Sequence, residues 1–514
     1  MGRRGWKRRT KAYRSTRSPG ARGGAAIGAG GYGCVFRPPL TCASGEAPDV
    51  EGVSKLMVSR YAAAEMREIQ KVRRYVQKIP NYSRYFLVDG VASCAPGVIS
   101  DSDLQGFDDR CRVLFEKGYT RANINTKRNA LRLINIPYGG IDVDRAWYNW
   151  RRSAGSDAER GRAFAAINTA LVDLLLHAIV PMNTNGYLHM DLKGQNILID
   201  GEAGEGVTAK IIDWGLSGAV PAKGVPASAL DRSVQFNVPY SNILLNKGPV
   251  QSALTRDIRE LAANEDLLGQ DGVGRESAMK LAAFRQLNSV VEEYGRGHLS
   301  FLRGLYETVM GKPAGVSRDA RGLDDGALGP AATISEYNAA VLSKYTGSDG
   351  KFDASKYYHE VYRWNVDLWG LLMAYLPLIE VSKNPWRAAS LTNAVTRIIC
   401  TYCFSPKYAA ERIPVQQLAR ELISLNSIAG FPSDLPKPAP IEGPSPVGPV
   451  DSGPEGAPPP KNARGRARAT RKVIVVKRDN DAFPWRGKRC PRGSRRCKRT
   501  RPAAEGILAC CPKA

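Results

Sequence analysis

No stretch of this 514-residue chain approaches the ~20 consecutive apolar residues that a membrane-spanning helix needs. The N-terminus is rich in arginine but has no apolar run before a cleavage site, so the sequence predicts no secretory signal. We therefore expect a soluble protein without membrane contact, located in the cytoplasm or nucleus of the cell that makes it.

A zinc-binding pattern is also missing, although the chain has ten cysteines. Cys400 and Cys403 have C-x-x-C spacing, but no second pair lies in range and their neighbours are apolar, which favours core packing. Four cysteines lie without metal spacing in an earlier part of the chain: Cys34, Cys42, Cys94 and Cys111. Four more lie near the C-terminus and could bind a metal or form disulfides in an oxidising particle: Cys490, Cys497, Cys510 and Cys511. We expect reduced thiols throughout.

Acidic residues are nearly absent from both ends of the chain. Residues 1–23 contain nine Lys or Arg and no acid, and residues 461–514 contain eighteen Lys or Arg against three acids. The two ends thus carry charges of +9 and +15, out of +25 for the whole chain. Such ends favour non-specific binding of nucleic acid through phosphate contacts. The alternatives are a nuclear signal, binding to acidic proteins, or a solvated tail without a fixed partner.

Composition divides the chain into four parts. Residues 1–24 form a basic arm, and residues 25–430 are long enough for a two-lobed globular enzyme. Proline and glycine dominate residues 431–460, which cannot bury a core, so we predict a disordered linker there. Residues 461–514 form a basic, cysteine-containing tail. We predict disorder in both basic ends, with one short β-like run at Val473–Val476.

The segment His189–Asn196 places an acid, a lysine and an amide at fixed offsets on a predicted loop. Phosphoryl transfer needs these three groups together. Asp191 would orient the attacking hydroxyl and accept its proton, Lys193 would steady the charge on the moving phosphoryl group, and Asn196 would hold a metal ion. Asp213, which follows a second apolar run, would supply a metal carboxylate.

A glycine-rich segment lies upstream and has the form G-x-G-x-x-G-x-V. Glycines let the backbone approach phosphates closely. The positions expected to contact a nucleotide are Ile27, Gly28, Gly30, Gly31, Gly33 and Val35. The pattern also fits dinucleotide binding, but that site needs a helix at the last glycine, and Arg37-Pro38-Pro39 argues against one. Lys55, about one hairpin later, favours the phosphoryl-transfer interpretation.

Together, and in this order, the motifs resemble those of the eukaryotic-type protein kinase family. His189–Asn196 is similar to the catalytic loop H-R-D-L-x-x-x-N, and Asp213–Gly215 is similar to D-F-G with tryptophan in place of phenylalanine. Asn365–Gly370 resembles the start of a buried helix whose aspartate, Asp367, grips the backbone of the catalytic loop. The glycine-rich loop and Gln235–Ser241 are similar in sequence to the corresponding segments of serine/threonine kinases of large (giant) DNA viruses.

The resemblance implies an α+β, bilobal protein-kinase-like fold, with a small β-rich lobe over residues 25–140 and a large helical lobe over 141–430. Residues 245–362 exceed what a plain kinase needs and are predicted to be a helical insertion. Its helix-like runs are 256–268, 276–294 and 299–310. The implied reaction transfers the γ-phosphoryl group of ATP to a Ser or Thr hydroxyl of a protein, with Mg²⁺ or, as an alternative, Mn²⁺. A viral origin adds the virion as a third location.

The resemblance also gives Lys55 a role, since the family uses a lysine here to pair the α- and β-phosphates. Its carboxylate partner would lie on the predicted helix Tyr61–Ile79. We expect Glu68 as the partner because it precedes an isoleucine, as is common in the family. Glu65 lies one turn away on nearly the same face and is the alternative.

Two further segments complete the expected layout. Ala130–Gly140 resembles the strand and hinge that hold adenine, through backbone groups near Ile136 and Tyr138. Apolar residues at helical spacing predict a long core helix over Gly161–Ala178. His189 is expected to support the catalytic loop rather than act as a base.

Met190 removes the arginine that anchors a phosphate on the activation segment in the family, so we do not expect activation by loop phosphorylation. Two other functions remain open: a catalytically silent, kinase-shaped scaffold that acts through its basic ends, and a kinase for small molecules. The scaffold is disfavoured because Lys55, Asp191 and Asp213 are all present.

Overall fold

The computed structural model describes eight longer segments and three short ones: residues 25–30, 33–45, 52–153, 155–201, 206–263, 273–310, 329–379, 388–437, 483–485, 494–496 and 508–512. The chain divides into two compact units, Met1–Ser445 and Pro446–Ala514. The division falls inside the predicted linker 431–460. The first unit is mixed α and β, mainly helical with small antiparallel sheets.

The N-terminal part of the first unit contains a five-stranded antiparallel sheet, in the order β1-β2-β3-β5-β4. Its strands are β1 (Ala25–Gly30), β2 (Gly33–Arg37), β3 (Val53–Val58), β4 (Ala92–Cys94) and β5 (Leu131–Ile136). The helices in the same part are α1 (Ser59–Val76), α2 (Tyr82–Tyr85), α3 (Phe107–Arg110) and α4 (Arg112–Phe115). The β-rich character predicted for residues 25–140 matches this arrangement.

Alternation along β3 decides which side chains face α1. Ser54 and Leu56 are buried on one face, while Lys55 and Met57 point to the other. Met57 packs there with Ala62 of α1. The strand therefore directs the Lys55 ammonium toward the first turns of α1.

Two disulfides cross-link this part of the protein, Cys34–Cys111 and Cys42–Cys94. The prediction of reduced thiols is wrong for these four residues. The paired cysteines lie 77 and 52 positions apart in the chain. Cys111 meets Cys34 because α3 and α4 pack on the β1–β2 hairpin, whereas Cys42 meets Cys94 next to the bridge between Cys42 and Pro96. The spacing of cysteines along the chain does not predict which of them meet in the folded protein. Cys400 and Cys403 are free, and Cys403 is buried, as predicted for core packing.

The rest of the first unit is mainly helical. Its strands form a sheet of order β6-β8-β9 and a β7–β10 pair: β6 (Ile141–Asp142), β7 (Tyr187–Leu188), β8 (Ile197–Asp200), β9 (Thr208–Ile211) and β10 (Gly218–Ala219). Its first helices are α5 (Val143–Arg152), α6 (Asp157–Leu174) and α7 (Val180–Thr184). Those that follow are α8 (Pro249–Ala262), α9 (Val273–Tyr294), α10 (Leu299–Met310), α11 (Pro330–Tyr345), α12 (Ala354–Tyr357), α13 (Arg363–Met373), α14 (Leu376–Ile379), α15 (Ala388–Ile399), α16 (Pro406–Ala410) and α17 (Val415–Ile428).

The predicted core helix is confirmed and begins at Asp157 instead of Gly161. Ser156 caps it, with Glu159 closing a capping box, and a π-helical turn joins α6 to α7. The combined helix Asp157–Thr184 is, among the described residues, the one long and apolar enough to cross a membrane by length and composition. Of its most apolar window, 61% is buried inside the fold, and the core helix of a soluble protein passes the same test.

The predicted insertion is helical. The run 276–294 is confirmed as part of α9, and the run 299–310 is confirmed as α10. The run 256–268 differs, because α8 begins earlier, at Pro249, and ends at Ala262, and residues 264–268 lie outside the described residues. Helix α9 packs between α8 and α11. The described helices of residues 245–362 thus pack on one another, and the buried helix α13 follows them in the chain.

Three short strands are described in the second unit, β11 (Phe483–Trp485), β12 (Ser494–Arg496) and β13 (Leu508–Pro512). They pair antiparallel in the order β11-β13-β12. The predicted β-like run Val473–Val476, the basic arm 1–24 and the rest of the tail lie outside the described residues, so the disorder predicted there stays a prediction.

Candidate active site

A buried carboxylate holds the backbone of the loop His189–Asn196 through two hydrogen bonds. Asp367 of α13 accepts hydrogen bonds from the backbone N–H groups of His189 (2.9 Å) and Met190 (2.8 Å). Burial raises the pKa of Asp367, although the two donors and His189 favour its charged form. The structural role predicted for Asp367 is confirmed. Because a buried carboxylate is tolerated only with such partners, the two segments fix each other.

His189 uses both ring nitrogens to join the loop to its neighbours. Its Nε2–H donates to the carbonyl oxygen of Ile212 (3.0 Å), and its Nδ1 accepts from the N–H of Asp191 (3.2 Å). An imidazole whose two nitrogens both take part in hydrogen bonds within the loop and its neighbour is not free to act as a base. The supporting role predicted for His189 is therefore confirmed.

The Asp191 carboxylate lies at the centre of a group of polar contacts. The ammonium of Lys193 lies 3.0 Å from Oδ2, and the amide of Asn196 donates to Oδ2 (3.2 Å) and to the Asp191 carbonyl (2.8 Å). The amide of Asn237 donates to Oδ1 (2.8 Å). Burial disfavours the charged form, but Lys193 and the Asn237 hydrogen bond outweigh it, so the pKa of Asp191 lies below its ordinary value. Asp191 is therefore ionised at neutral pH.

Asp213 lies directly beside this loop. The N–H of Ile212 donates to the carbonyl of Asn196 (3.0 Å), which ties the two segments together. Asp213 adopts a left-handed backbone with φ +66°, an uncommon conformation for a residue other than glycine. Trp214 packs its ring 4.9 Å from that of His189. The turn at Asp213 is thus anchored on both sides.

Lys55 forms its ion pair with Glu65, at 2.8 and 2.7 Å from the two carboxylate oxygens. The predicted partner, Glu68, is wrong for this contact, because its carboxylate instead lies 3.7 Å from Lys71 on the same helix. β3 runs straight into α1, and the side chain of Lys55 therefore meets the earlier turn of the helix. The sequence could not choose between two carboxylates three residues apart, since both lie on nearly the same face.

The glycine-rich segment forms the β1–β2 hairpin, in which Gly28 pairs with Val35 and Gly30 with Gly33. Gly28 has open space where a side chain would be, as close approach to a ligand requires. Gly33 has a different reason to be glycine, because a Cβ there would lie 2.7 Å from the carbonyl oxygen of Leu56 on β3. The side chain of Ile27 is 59% exposed. Gly31 lies outside the described residues.

The predicted hinge follows β5. Ile136 is the last residue of that strand and pairs with Val53 of β3. The ring of Tyr138 is covered by the guanidinium of Arg37, whose Cζ lies 3.5 Å from the ring centroid. Both backbone positions expected to contact adenine therefore lie at the exit from the five-stranded sheet.

The donors available to a metal ion are the carboxylate of Asp213 and the amide oxygen of Asn196. The Asn196 NH₂ group is used on Asp191, which leaves its oxygen as an acceptor. Within the described part of the chain, no group of three His, Cys, Asp or Glu side chains is placed to hold a metal. One carboxylate and one amide, completed by phosphate oxygens and water, fit Mg²⁺, which seldom uses an all-protein cage.

Two residues of this site were not found from the sequence. Asn237 contacts both Asp191 and the Leu192 carbonyl (3.2 Å), and Arg232, which is 7% exposed, donates to the Met190 carbonyl (3.0 Å). Asn237 lies within the segment 235–241, whose sequence resembles that of the viral kinases. That resemblance marks the segment but does not predict a contact between Asn237 and Asp191. Arg232 had no signal in the sequence.

Comparison with known proteins gives structural matches but no match to a family model or to a curated protein. No family model matches the chain, and no curated protein matches it. One solved structure that matches is the crystal structure of the yeast RNA Pol II CTD kinase CTDK-1 complex, with 14% sequence identity. The match covers 52% of this chain and 70% of that chain, with a TM-score of 0.25. A likeness this distant identifies neither a family nor an activity.

Proposed function

We propose that this protein is an ATP-dependent protein kinase that transfers the γ-phosphoryl group to Ser or Thr hydroxyls. The observation that carries the proposal is the grouping of Asp191, Lys193 and Asn196 within hydrogen-bond distance of one another, joined through Ile212 to Asp213. A base, a cation and two metal ligands in one place suit phosphoryl transfer, in which positioning and electrostatics supply most of the rate. The preference for Ser or Thr rests on Lys193 and on the resemblance to kinases of large DNA viruses.

In the proposed reaction, the ionised Asp191 accepts the proton of the acceptor hydroxyl while the hydroxyl oxygen bonds to the γ-phosphorus. The bond between that phosphorus and the β–γ bridging oxygen breaks, and ADP leaves with the electron pair. Lys193 offsets the charge on the transferred group, and Lys55, held by Glu65, offsets charge on the α- and β-phosphates. Mg²⁺ or Mn²⁺, when bound by Asn196 and Asp213, would neutralise phosphate charge.

The test is transfer of radiolabel from [γ-³²P]ATP with Mg²⁺ to protein, lipid and sugar acceptors. Label on Ser or Thr of a generic protein such as casein supports the proposal. Label on a sugar or lipid alone would show a small-molecule kinase, and no label on any acceptor would favour the silent scaffold. Phosphoamino-acid analysis separates Ser and Thr from Tyr.

The Glu65→Gln substitution is expected to lower kcat/KM for ATP about tenfold, because a neutral amide no longer holds the Lys55 ammonium at the phosphates. Glu68→Gln is the matched control, since it removes a carboxylate three residues away that faces Lys71. It should leave kcat/KM within about twofold. Steady-state kinetics at varied ATP concentration measures both. Equal losses in the two variants, or a larger loss in Glu68→Gln, would contradict the assignment of the ion pair.

The Asn237→Leu substitution is expected to move the acid limb of the pH–rate profile to higher pH. Asn237 donates to the charged form of Asp191, so its loss raises the pKa of that carboxyl toward its ordinary value. One hydrogen bond of about 1 kcal/mol corresponds to somewhat less than one pH unit. The profile of kcat/KM from about pH 3 to 7 contains the acid limb and measures the shift. Asn393→Leu, at an exposed position of α15, is the control and should leave the limb in place.

We also propose that the basic ends bind polyanions such as nucleic acid without reading their sequence, on the strength of charges of +9 and +15. A chain ending at Ser445 tests the tail and keeps Phe431 and Ser433, which hydrogen-bond to Asn426 of the first unit. The full chain should bind duplex DNA with a steeper fall in affinity as salt rises than the shortened chain. If both chains showed the same salt slope, the tail would have no such role.

A further inference from the structure

One loop of the insertion, Gly295–His298, contacts the segment that carries Asn237. Gly297 has φ +51°, and a Cβ there would overlap the carbonyl oxygen of Val234 and lie 2.8 Å from the hydroxyl of Ser233. Only glycine allows this approach, in both conformation and space. The insertion is therefore fitted to the main fold at this point.

Two hydrogen bonds join the loop Gly295–His298 to the segment that carries Asn237. The N–H of His298 donates to the carbonyl of Val234 (2.9 Å), and the N–H of Phe236 donates to Nδ1 of His298 (3.2 Å). On the other side of the same residue, the carbonyl of Phe236 accepts from the indole N–H of Trp369 (2.8 Å). The backbone of Phe236 is thus fixed through both its polar groups. The next residue, Asn237, holds Asp191.

The same contact builds an apolar surface near the proposed base. The ring of Phe236 lies 5.2 Å from that of His298 and 4.8 Å from that of Phe301. Phe301, on α10 of the insertion, remains 42% exposed. The exposed ring of Phe301 and the half-buried ring of Phe236 together form a favourable surface for a further apolar side chain.

The position of His298 links this surface to the reacting groups. Burial and the positive charge of Lys193 lower the pKa of His298, whereas the negative charge of Asp191 opposes the shift. The imidazole is therefore neutral at neutral pH, and its Nδ1 is free of a proton and accepts the Phe236 N–H. Arg232 also faces it and disfavours a second positive charge.

We propose that the insertion completes the acceptor side of the site. His298 is a positioning residue that holds Phe236, and through Asn237 the base Asp191. Phe236 and Phe301 contact an apolar side chain next to the acceptor hydroxyl of a protein substrate. This inference rests on the proposed kinase function and names the substrate class: polypeptides in which an apolar residue neighbours the phosphorylated Ser or Thr.

The first experiment compares two peptide acceptors that differ only in having leucine or aspartate next to the acceptor serine. The parent chain should prefer the leucine peptide about tenfold in kcat/KM. Phe301→Ser should remove that preference by raising KM for the leucine peptide, with KM for ATP unchanged. Phe284→Ser is the matched control, because Phe284 is a 36% exposed aromatic of the same insertion on α9. The control should keep the preference.

The second experiment separates positioning by His298 from a merely structural role. His298→Phe keeps a ring but loses the acceptor for the Phe236 N–H, and it should lower kcat for the leucine peptide about tenfold. His298→Asn restores an acceptor oxygen close to the position of Nδ1 and should recover most of that rate. Thermal melting of each variant confirms that it is folded.

Three results would overturn the inference. They are an equal loss of preference in Phe301→Ser and Phe284→Ser, a parent chain without preference between the peptides, and equal rates for His298→Phe and His298→Asn. In each of these cases the parent still phosphorylates serine, so the kinase proposal stands. A parent chain that phosphorylates no peptide or protein would instead overturn the kinase proposal and this inference with it.

Discussion

Replacing Asp191 with alanine is expected to lower the rate of phosphoryl transfer by about 10²–10⁴-fold, the usual contribution of a positioned general base. The carboxylate is the meeting point of Lys193, Asn196 and Asn237, so its removal also leaves their donors without a common acceptor. The rate of transfer to a protein acceptor at saturating ATP measures the effect. KM for ATP should change little, because Asp191 is placed for the acceptor and not for the nucleotide.

Asp200→Ala is the control for that experiment. Asp200 closes β8, a few residues beyond the loop, and pairs with Lys210 on the neighbouring strand. Its loss should leave the rate within about twofold and the melting temperature close to that of the parent. If Asp191→Ala transferred phosphate at the parent rate, the assignment of Asp191 as the base would be wrong. The alternative function, a catalytically silent scaffold, would then be favoured.

The Asp213→Ala substitution is expected to lower transfer about 10³-fold at a Mg²⁺ concentration that saturates the parent chain. Asp213 is the one carboxylate of the two proposed metal ligands, and an amide oxygen alone is a weak site for a hard cation. No hydrogen bond or ion pair to its carboxylate is seen among the described residues, so its loss should cost little stability. Transfer measured across a series of Mg²⁺ and Mn²⁺ concentrations checks the prediction.

The same Asp200→Ala chain serves as the control for the metal series, because it also removes one carboxylate near the loop. Transfer by Asp213→Ala that remained within tenfold of the parent, with the same dependence on Mg²⁺, would show that the metal is held elsewhere. A metal series in which Mn²⁺ alone restored activity would identify Mn²⁺ as the ion that tolerates the weakened site.

Arg232 fixes the backbone of the loop at Met190. Arg232 donates to the Met190 carbonyl and to Gln235, and its backbone exchanges two hydrogen bonds with the side chain of Asn246. Burial lowers the pKa of Arg232. A buried guanidinium with these partners is not available to bind a phosphate.

The two disulfides concern the redox environment of the protein. Both lie in the part that carries the glycine-rich hairpin and Lys55. Disulfides are rare in the cytosol and nucleus and common in oxidising surroundings. The two bonds therefore contradict the reduced thiols predicted for these four cysteines.

The sequence alone determined the features that depend on short offsets along the chain. Asp191, Lys193 and Asn196 are within five residues of one another, so any loop that holds them also brings them together. The core helix and two of the insertion helices followed from their apolar periodicity. The excess of charge at the two ends is likewise a property of composition alone.

Only the tertiary structure decided contacts between distant segments. The register of α1 on β3 selects Glu65 over Glu68 as the partner of Lys55, and the packing of the α3–α4 segment on the hairpin brings Cys111 to Cys34. Asn237 reaches Asp191 across 46 positions, and His298 reaches Phe236 across 62. Such contacts depend on which faces of the elements pack together, and the burial of many side chains at once sets that packing. No local pattern in the sequence encodes it.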